Sequence, residues 1–479
     1  MSLKRFAKDT AIYGIATVLP RIINILLLGL FTKNLSTGQF SEATDYWIFA
    51  SLFNVILTYG METSFFRFFT KLKNDKRVLN TAFTSILITS LVALSLLLIF
   101  KSQLSVFLNI KTTHLSFLIW ITILDTLVVI PYAYLRVINR PVRFAFYKIS
   151  NVLINLIVIV FLFVALPVFE QNNFLQKDLI LAYFNSDSKV IFIFIANFFA
   201  SLVTLLLFLP IILKINLSIN KSLLKQLLTY GLPIMIAGLA YVINENIDKL
   251  MIKHFLDRNT MGAYSATYKI GAIMTLFITA FRLGAEPFFF SQSDKKDAKQ
   301  KYAKILLLFT IAGAFFYVAI VANMDIIASI FIKQKEYYST IAIVPVILLA
   351  NFLLGIYFNL AIWYKLTDRT KFGMYFSVFG ALVTLVFNYI MIPKIGFMAA
   401  AWATVAAYGS MAVASFAFGK QYYPINYNIK KILFYLFSSA VLSYVIFTNF
   451  YEDFLVKNSI LAGYGLLIIF LERKKLSKV

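Results

Sequence analysis

Roughly 20 consecutive, mostly apolar residues are enough to carry a helix across the hydrocarbon core of a bilayer, and this chain offers such a run fourteen times over. The runs lie near 10–32, 44–69, 79–100, 113–135, 143–166, 189–213, 227–250, 262–290, 302–323, 338–363, 372–393, 396–419, 432–450 and 454–471. They predict an all-α polytopic membrane protein with about fourteen transmembrane helices. A further apolar piece, Ile326 to Ile332, is too short to span and is expected at the interface. Composition agrees: 61% of the 479 residues are hydrophobic and 14% charged, and the mean hydropathy is +0.82. A soluble protein of this length needs more polar surface to cover its core.

The lysines and arginines set the orientation. With the N-terminus and every second connection taken as one side, that side holds 29 of the 45 and the opposite side 12. Four remain inside spans: Arg21, Arg67, Lys269 and Arg282. Nearly every connection obeys the bias, so both termini are expected to be cytoplasmic. The net charge of +24 is thus a topology signal with room for anionic lipid contacts, and no nucleic-acid footprint is inferred. The basic start MSLKRFAKDT leads into Ala11 to Phe31, long enough for a retained first helix and too long for a signal-peptide core.

Several chemistries are excluded. The chain has no cysteine, hence no disulfide, thiolate metal site or cysteine nucleophile. His114 and His254 are far apart and near span ends, which does not suit a two-histidine metal site. No metal and no cofactor is expected. There is no P-loop and no G-x-S-x-G, and the longest connection, about Pro167 to Ser188, has no room for a soluble domain. No enzyme is expected; the work of the chain falls within the helix bundle, and any uphill movement must be driven by ions or by the substrate's own gradient.

The halves echo each other. Gly60-Met61-Glu62-Thr63-Ser64-Phe65-Phe66 matches Gly284-Ala285-Glu286-Pro287-Phe288-Phe289-Phe290 as G-x-E-x-x-F-F at an offset of 224. Gly38-Gln39-Phe40 matches Gly262-Ala263-Tyr264 at the same offset, Tyr13-Gly14 matches Tyr230-Gly231 at 217, and Arg143-Phe144 matches Lys371-Phe372 at 228. Six spans per copy is an even number, so the second copy re-enters with the same orientation. Two parallel six-helix lobes follow, at 1–220 and 221–420, with two extra C-terminal helices and a basic tail at 421–479.

Charged side chains inside apolar spans are rare because they are expensive, and they mark functional sites. Arg21 follows Pro20 in the first span; it suits an anion site, since a guanidinium stays charged and binds phosphate through two bonds, or an ion pair within the bundle. Arg282 and Glu286 are four apart on one face of the eighth span, placed to bond each other, and Pro287 is placed to kink that helix. Glu62 and Arg67 are five apart and point roughly 140° away from each other on a helix. Arg67 reads as a snorkelling anchor; Glu62 needs a partner from another helix, or a proton. In the seventh span Asn244 and Asp248 share a face, suited to a cavity lining or to the outward end of the helix. Asp125 and Lys269 are open between structural and functional roles.

YGMETSFFRFF (59–69), FRLGAEPFFF (281–290), NLAIWYKLTDRTKFG (359–373) and IPKIGFMAAAWAT (392–404) resemble recurring segments of the Wzx-type polysaccharide (O-antigen) flippases. These belong to the multidrug/oligosaccharidyl-lipid/polysaccharide exporter superfamily, and the resemblance covers nearly the whole chain. It implies a multi-pass protein of the bacterial cytoplasmic (inner) membrane, active in lipopolysaccharide and polysaccharide biosynthesis. Such a protein carries an oligosaccharide on undecaprenyl diphosphate from the cytoplasmic to the periplasmic leaflet, by alternating access of a cationic central cavity between the lobes. On this reading Arg21, Arg282, Glu286 and Asn244 bind substrate, while Glu62, Glu286 and Asp248 are candidates for coupling to a proton or sodium ion. The partners are the lipid-linked substrate, membrane lipids and the coupling ion, and the transport unit is a monomer. A lipid II flippase and a multidrug exporter of the same superfamily are near alternatives; a membrane polysaccharide polymerase or ligase is the alternative of a different class.

Overall fold

A computed structural model of the chain describes residues 3–171, 189–293 and 295–476. Most of the longest expected connection, 167–188, lies outside the described residues. Every regular element described is helical. In a bilayer this is the physical expectation, because a helix satisfies its backbone N–H and C=O groups within the segment. Among the described residues, thirteen helices are long and apolar enough to cross a membrane.

The chain folds as two compact units. The first comprises residues 1–24 and 34–246, the second 25–33 and 247–479. Two long helices contribute to both: α1 (Leu3–Asn34) and α10 (Lys221–Phe255).

In the first unit, α2 (Thr37–Thr58) and α3 (Met61–Lys71) precede α4 (Lys76–Ile99) and the short α5 (Lys101–Leu108). Then come α6 (Thr112–Val137), α7 (Pro141–Val160), α8 (Leu166–Gln171) and α9 (Ile191–Ile212). A π-helical turn, Phe161–Ala165, joins α7 to α8. Helix α9 packs against both α6 and α7. The core gathers Phe65, Phe69, Phe83, Ile86 and Ile130 in one cluster and Ala16, Tyr132, Phe144 and Phe208 in another.

The second span departs from expectation. A single helix over 44–69 is predicted, but the chain breaks after Thr58 into α2 and α3. Tyr59 adopts the left-handed conformation, φ 33°, and so does Gly60, φ 71°. The break is fixed by a close approach of backbones: a Cβ on Gly60 would lie 2.2 Å from the Gly231 oxygen. Ser64 Oγ donates to the Leu227 carbonyl at 2.9 Å nearby. Helix α2, which carries Glu42 and Asp45 in its first half, is not among the thirteen.

In the second unit the expected 262–290 span is α11 (Arg258–Gly271) and α12 (Ile273–Gln292), interrupted at Ala272. Next come α13 (Ala298–Ala322) and α14 (Met324–Phe331), then a 3-10 turn at Lys335–Thr340. Helices α15 (Ile343–Leu360) and α16 (Ile362–Leu366) divide the expected 338–363 span, and α17 (Lys371–Ile395) and α18 (Met398–Tyr422) follow. Ala399, Ala400, Ala403 and Ala407 are buried on α18, which packs against α15 and α17; small residues allow backbones to approach closely where lipid offers little hydrophobic drive.

The short apolar piece expected at the interface is α14. It is tied to the second-unit part of α1, where Thr32 Oγ1 donates to the Phe331 carbonyl at 2.6 Å. The last two helices, α19 (Ile429–Asn449) and α20 (Phe454–Leu476), also belong to this unit. Buried Lys457 on α20 pairs with Asp325 on α14 at 2.6 Å. At the other end of α20, buried Glu472 accepts from Lys431 and from the Tyr435 hydroxyl of α19.

Candidate functional site

Residues four apart on a helix meet on one face, and α12 uses this to join Arg282 to Glu286. Arg282 donates to Glu286 Oε1 from Nη2 at 2.7 Å and from Nε at 3.1 Å. A third bond comes from outside the helix: Lys365 Nζ donates to the same oxygen at 2.9 Å. Lys365 is presented by α16, the one-turn helix that follows the interruption at Ala361. The Arg282 guanidinium lies over the Phe358 ring, 4.2 Å from its centre, so one face of the cation is covered by an aromatic quadrupole. Two cations therefore share one carboxylate oxygen. The three side chains keep 37%, 35% and 29% of their surface accessible for Arg282, Glu286 and Lys365, so the cluster is both organised and reachable.

A related pair stands in the first unit. Arg136, in the last turn of α6, donates from Nη1 to Glu62 Oε1 at 3.0 Å. Glu62 thus finds its partner on another helix and not in Arg67, whose guanidinium sits over the Tyr230 ring at 4.3 Å. Lys148 lies over the Tyr132 ring at 4.6 Å and within electrostatic reach of Asp125, Glu62 and Arg136. Asp125, half-buried on α6, has the Ser201 hydroxyl of α9 as a hydrogen-bond partner.

The remaining expected residues are placed as follows. Arg21 is exposed on α1 directly after Pro20, in the stretch that belongs to the first unit. Asn244 and Asp248 are both buried, at 4% and 1% accessibility, one turn apart on α10. Asp248 is closely enclosed. Its Oδ2 accepts from the Tyr264 hydroxyl at 2.9 Å, its Oδ1 accepts from Lys249 Nζ at 3.1 Å, and Lys249 lies over the Tyr268 ring at 3.9 Å. The side chain of Pro287 lies outside the described residues. Among the described residues no group of histidines and carboxylates is arranged to hold a metal ion.

Lys365 and Arg136 are the residues that sequence reasoning missed, because both read as topology-setting cations at span ends. The repeat held the signal. Glu62 and Glu286 are 224 apart, and Arg136 and Lys365 are 229 apart.

An all-helical chain with many membrane-crossing helices and charged clusters set in them is a polytopic membrane protein. It belongs to the polysaccharide biosynthesis protein family, whose sequence model matches residues 6–291; the MatE family model matches residues 233–390. No curated protein sequence matches the chain significantly. Among solved structures it is similar to the lipid II flippase MurJ in an inward closed conformation, with TM-score 0.71 and 18% identity, over 96% of this chain and 99% of that one. It is also similar to a multidrug resistance MATE family transporter of the MOP superfamily. The inward-facing form gives TM-score 0.65 and 13% identity over 84% of this chain and 94% of that one. The outward-facing form gives 0.60 and 12% over 87% and 94%. At these identities the likeness is one of fold.

Proposed function

We propose that the chain is a flippase that moves undecaprenyl-diphosphate-linked oligosaccharide, of the O-antigen type, from the cytoplasmic to the periplasmic leaflet of the bacterial cytoplasmic membrane. The observation that carries this reading is the Arg282–Glu286–Lys365 cluster: two cations on one shared, partly accessible carboxylate oxygen. A phosphoryl group offers more negative charge and more acceptor oxygens than Glu286, and guanidinium binds it through two parallel bonds. Arriving substrate takes over Arg282 and Lys365 from Glu286, and Glu286 reclaims them when substrate leaves. That exchange gives the site two states, as alternating access requires. Arg21 and Asn244 are the further substrate-binding residues of this reading, for the diphosphate and the sugars.

Coupling to a proton or sodium ion falls to Glu62, Glu286 and Asp248. Asp248 is the most enclosed of the three. Glu62 and Glu286 exchange an ion only when their cation partners are drawn away, which ties ion exchange to substrate occupancy. The lysine and arginine bias supports a cytoplasmic position for both termini, and on this reading a single chain with both repeats serves as the transport unit. A multidrug exporter, built for cationic drugs, has little use for Arg282 and Lys365 together. A lipid II flippase shares the lipid diphosphate and remains the second reading, supported by the MurJ fold likeness.

Complementation tests the assignment. Deletion of the gene should trap undecaprenyl-linked glycan on the cytoplasmic face and remove surface polysaccharide. Wild-type protein should restore it, while Arg282→Ala and Glu286→Gln at equal protein level should not. Full rescue by Arg21→Ala, Arg282→Ala and Glu286→Gln alike would sink the site.

A further inference from the structure

The repeat carries more than sequence echoes: each unit builds the same ion pair from corresponding places. In the second unit the glutamate lies on α12, within the second G-x-E-x-x-F-F copy, and its cation lies in the last turn of α16. In the first unit the glutamate lies on α3, within the first copy, and its cation lies in the last turn of α6. The bonds match in length, Glu286 to Lys365 at 2.9 Å and Glu62 to Arg136 at 3.0 Å. Each cluster adds a second cation and an aromatic ring. Arg282 sits over Phe358 in one. In the other Lys148 lies within electrostatic reach of Glu62 and Arg136, and Arg136 stands 5.6 Å from the centre of the Phe66 ring.

We infer that Arg136 and Lys148 form a second anion-binding subsite, on the first unit, that takes a phosphoryl group in exchange for Glu62. The inference rests on the proposed phosphorylated lipid substrate. Glu62 and Arg136 each keep 46% of their side-chain surface accessible. A one-point ion pair at that exposure is weak, whereas a phosphoryl group engages the guanidinium fork through two charge-assisted bonds. Glu62 is therefore a displaceable stand-in for the ligand anion. Asp125, the other carboxylate in reach of Lys148, is half-buried and hydrogen-bonded to Ser201, and stays to hold Lys148 in place.

The test is equilibrium binding to the full chain in nanodiscs, with three probes: inorganic pyrophosphate, undecaprenyl diphosphate, and phosphatidylglycerol as the bulk anionic lipid. Arg136→Gln should weaken undecaprenyl diphosphate binding by about tenfold, the scale of a lost charge-assisted pair. Glu62→Gln should strengthen it by roughly threefold or more, because the competing carboxylate is gone and the exposed pair it leaves is weak. Pyrophosphate should follow the same order, which places recognition in the phosphoryl groups and not in the lipid tail. A gain in affinity cannot arise from misfolding, so the Glu62 variant guards against a destabilised Arg136 variant. If both variants bind like wild type while Arg282→Gln weakens binding, the subsite is overturned and the flippase reading stands. If phosphatidylglycerol responds as strongly as undecaprenyl diphosphate, the pair is a bulk-lipid contact and the subsite is likewise overturned. Failure of the wild-type chain to bind either diphosphate overturns the flippase reading itself.

Discussion

Glu286 accepts from Arg282 and Lys365 through one oxygen, and the two cations are not equivalent. Arg282 binds with a planar fork and lies over Phe358, whereas Lys365 is a point charge. Arg282→Lys keeps the charge and loses the fork; substrate transport should fall by about tenfold, the equivalent of one charge-assisted bond, as measured by flipping rate at matched protein level. Half of this cluster is legible in the sequence, since the spacing of four places Arg282 and Glu286 on one face. Lys365 is not, because its partner lies 79 residues away and no local pattern reports a tertiary contact. Gly60 shows the same limit. Hydropathy reads 44–69 as one apolar run and is blind to the sign of φ. Gly60→Val places a side chain at φ 71° against the Gly231 oxygen. The left-handed backbone alone costs roughly 1–3 kcal/mol, so the variant should melt well below wild type in detergent.

Among the elements, the short α14 shows how a non-spanning segment is held. Sequence length separates it from the spans, but its anchors are long-range: Thr32 on α1 and Lys457 on α20. Asp325→Ala leaves the Lys457 ammonium buried with the Tyr451 carbonyl as its remaining acceptor, at 3.1 Å. The loss should be roughly 1–3 kcal/mol, the range for a stranded buried donor, read as a lower melting temperature. At the start of α11, Asp257 is the N-cap, accepting from the Thr260 backbone at 2.9 Å and its hydroxyl at 2.6 Å. Partial burial works to raise this carboxyl, but the bonds from Thr260 and the Asn259 backbone outweigh it and hold it below its usual value. A depressed native carboxylate stabilises the fold fully above the ordinary aspartate range and loses that contribution as pH falls through its lowered native value. Asp257→Ala should therefore cost about 1 kcal/mol at neutral pH, and its difference from wild type should shrink in acid, as thermal melts across pH will record.

For the whole molecule, hydrophobic length and cation placement carry most of the architecture. Each span must satisfy its own backbone, so the all-helical, multi-pass fold is written locally. The repeat, visible as G-x-E-x-x-F-F at an offset of 224, carries further than fold, since it places a glutamate beside a cation in each unit. The compact units divide within helices: the first extends through Asn246 of α10 and leaves 25–33 of α1 to the second, a matter of packing that no periodicity reports. The substrate is the central claim, and reconstitution addresses it most directly. Purified protein is placed in vesicles with undecaprenyl-diphosphate-linked oligosaccharide on one leaflet, and its arrival on the other is followed with a glycan-modifying enzyme that cannot cross. The account predicts rapid transfer by wild type and transfer near the protein-free rate for Arg282→Ala. Transfer by the variant at the wild-type rate, or none by wild type under an imposed proton or sodium gradient, would contradict it.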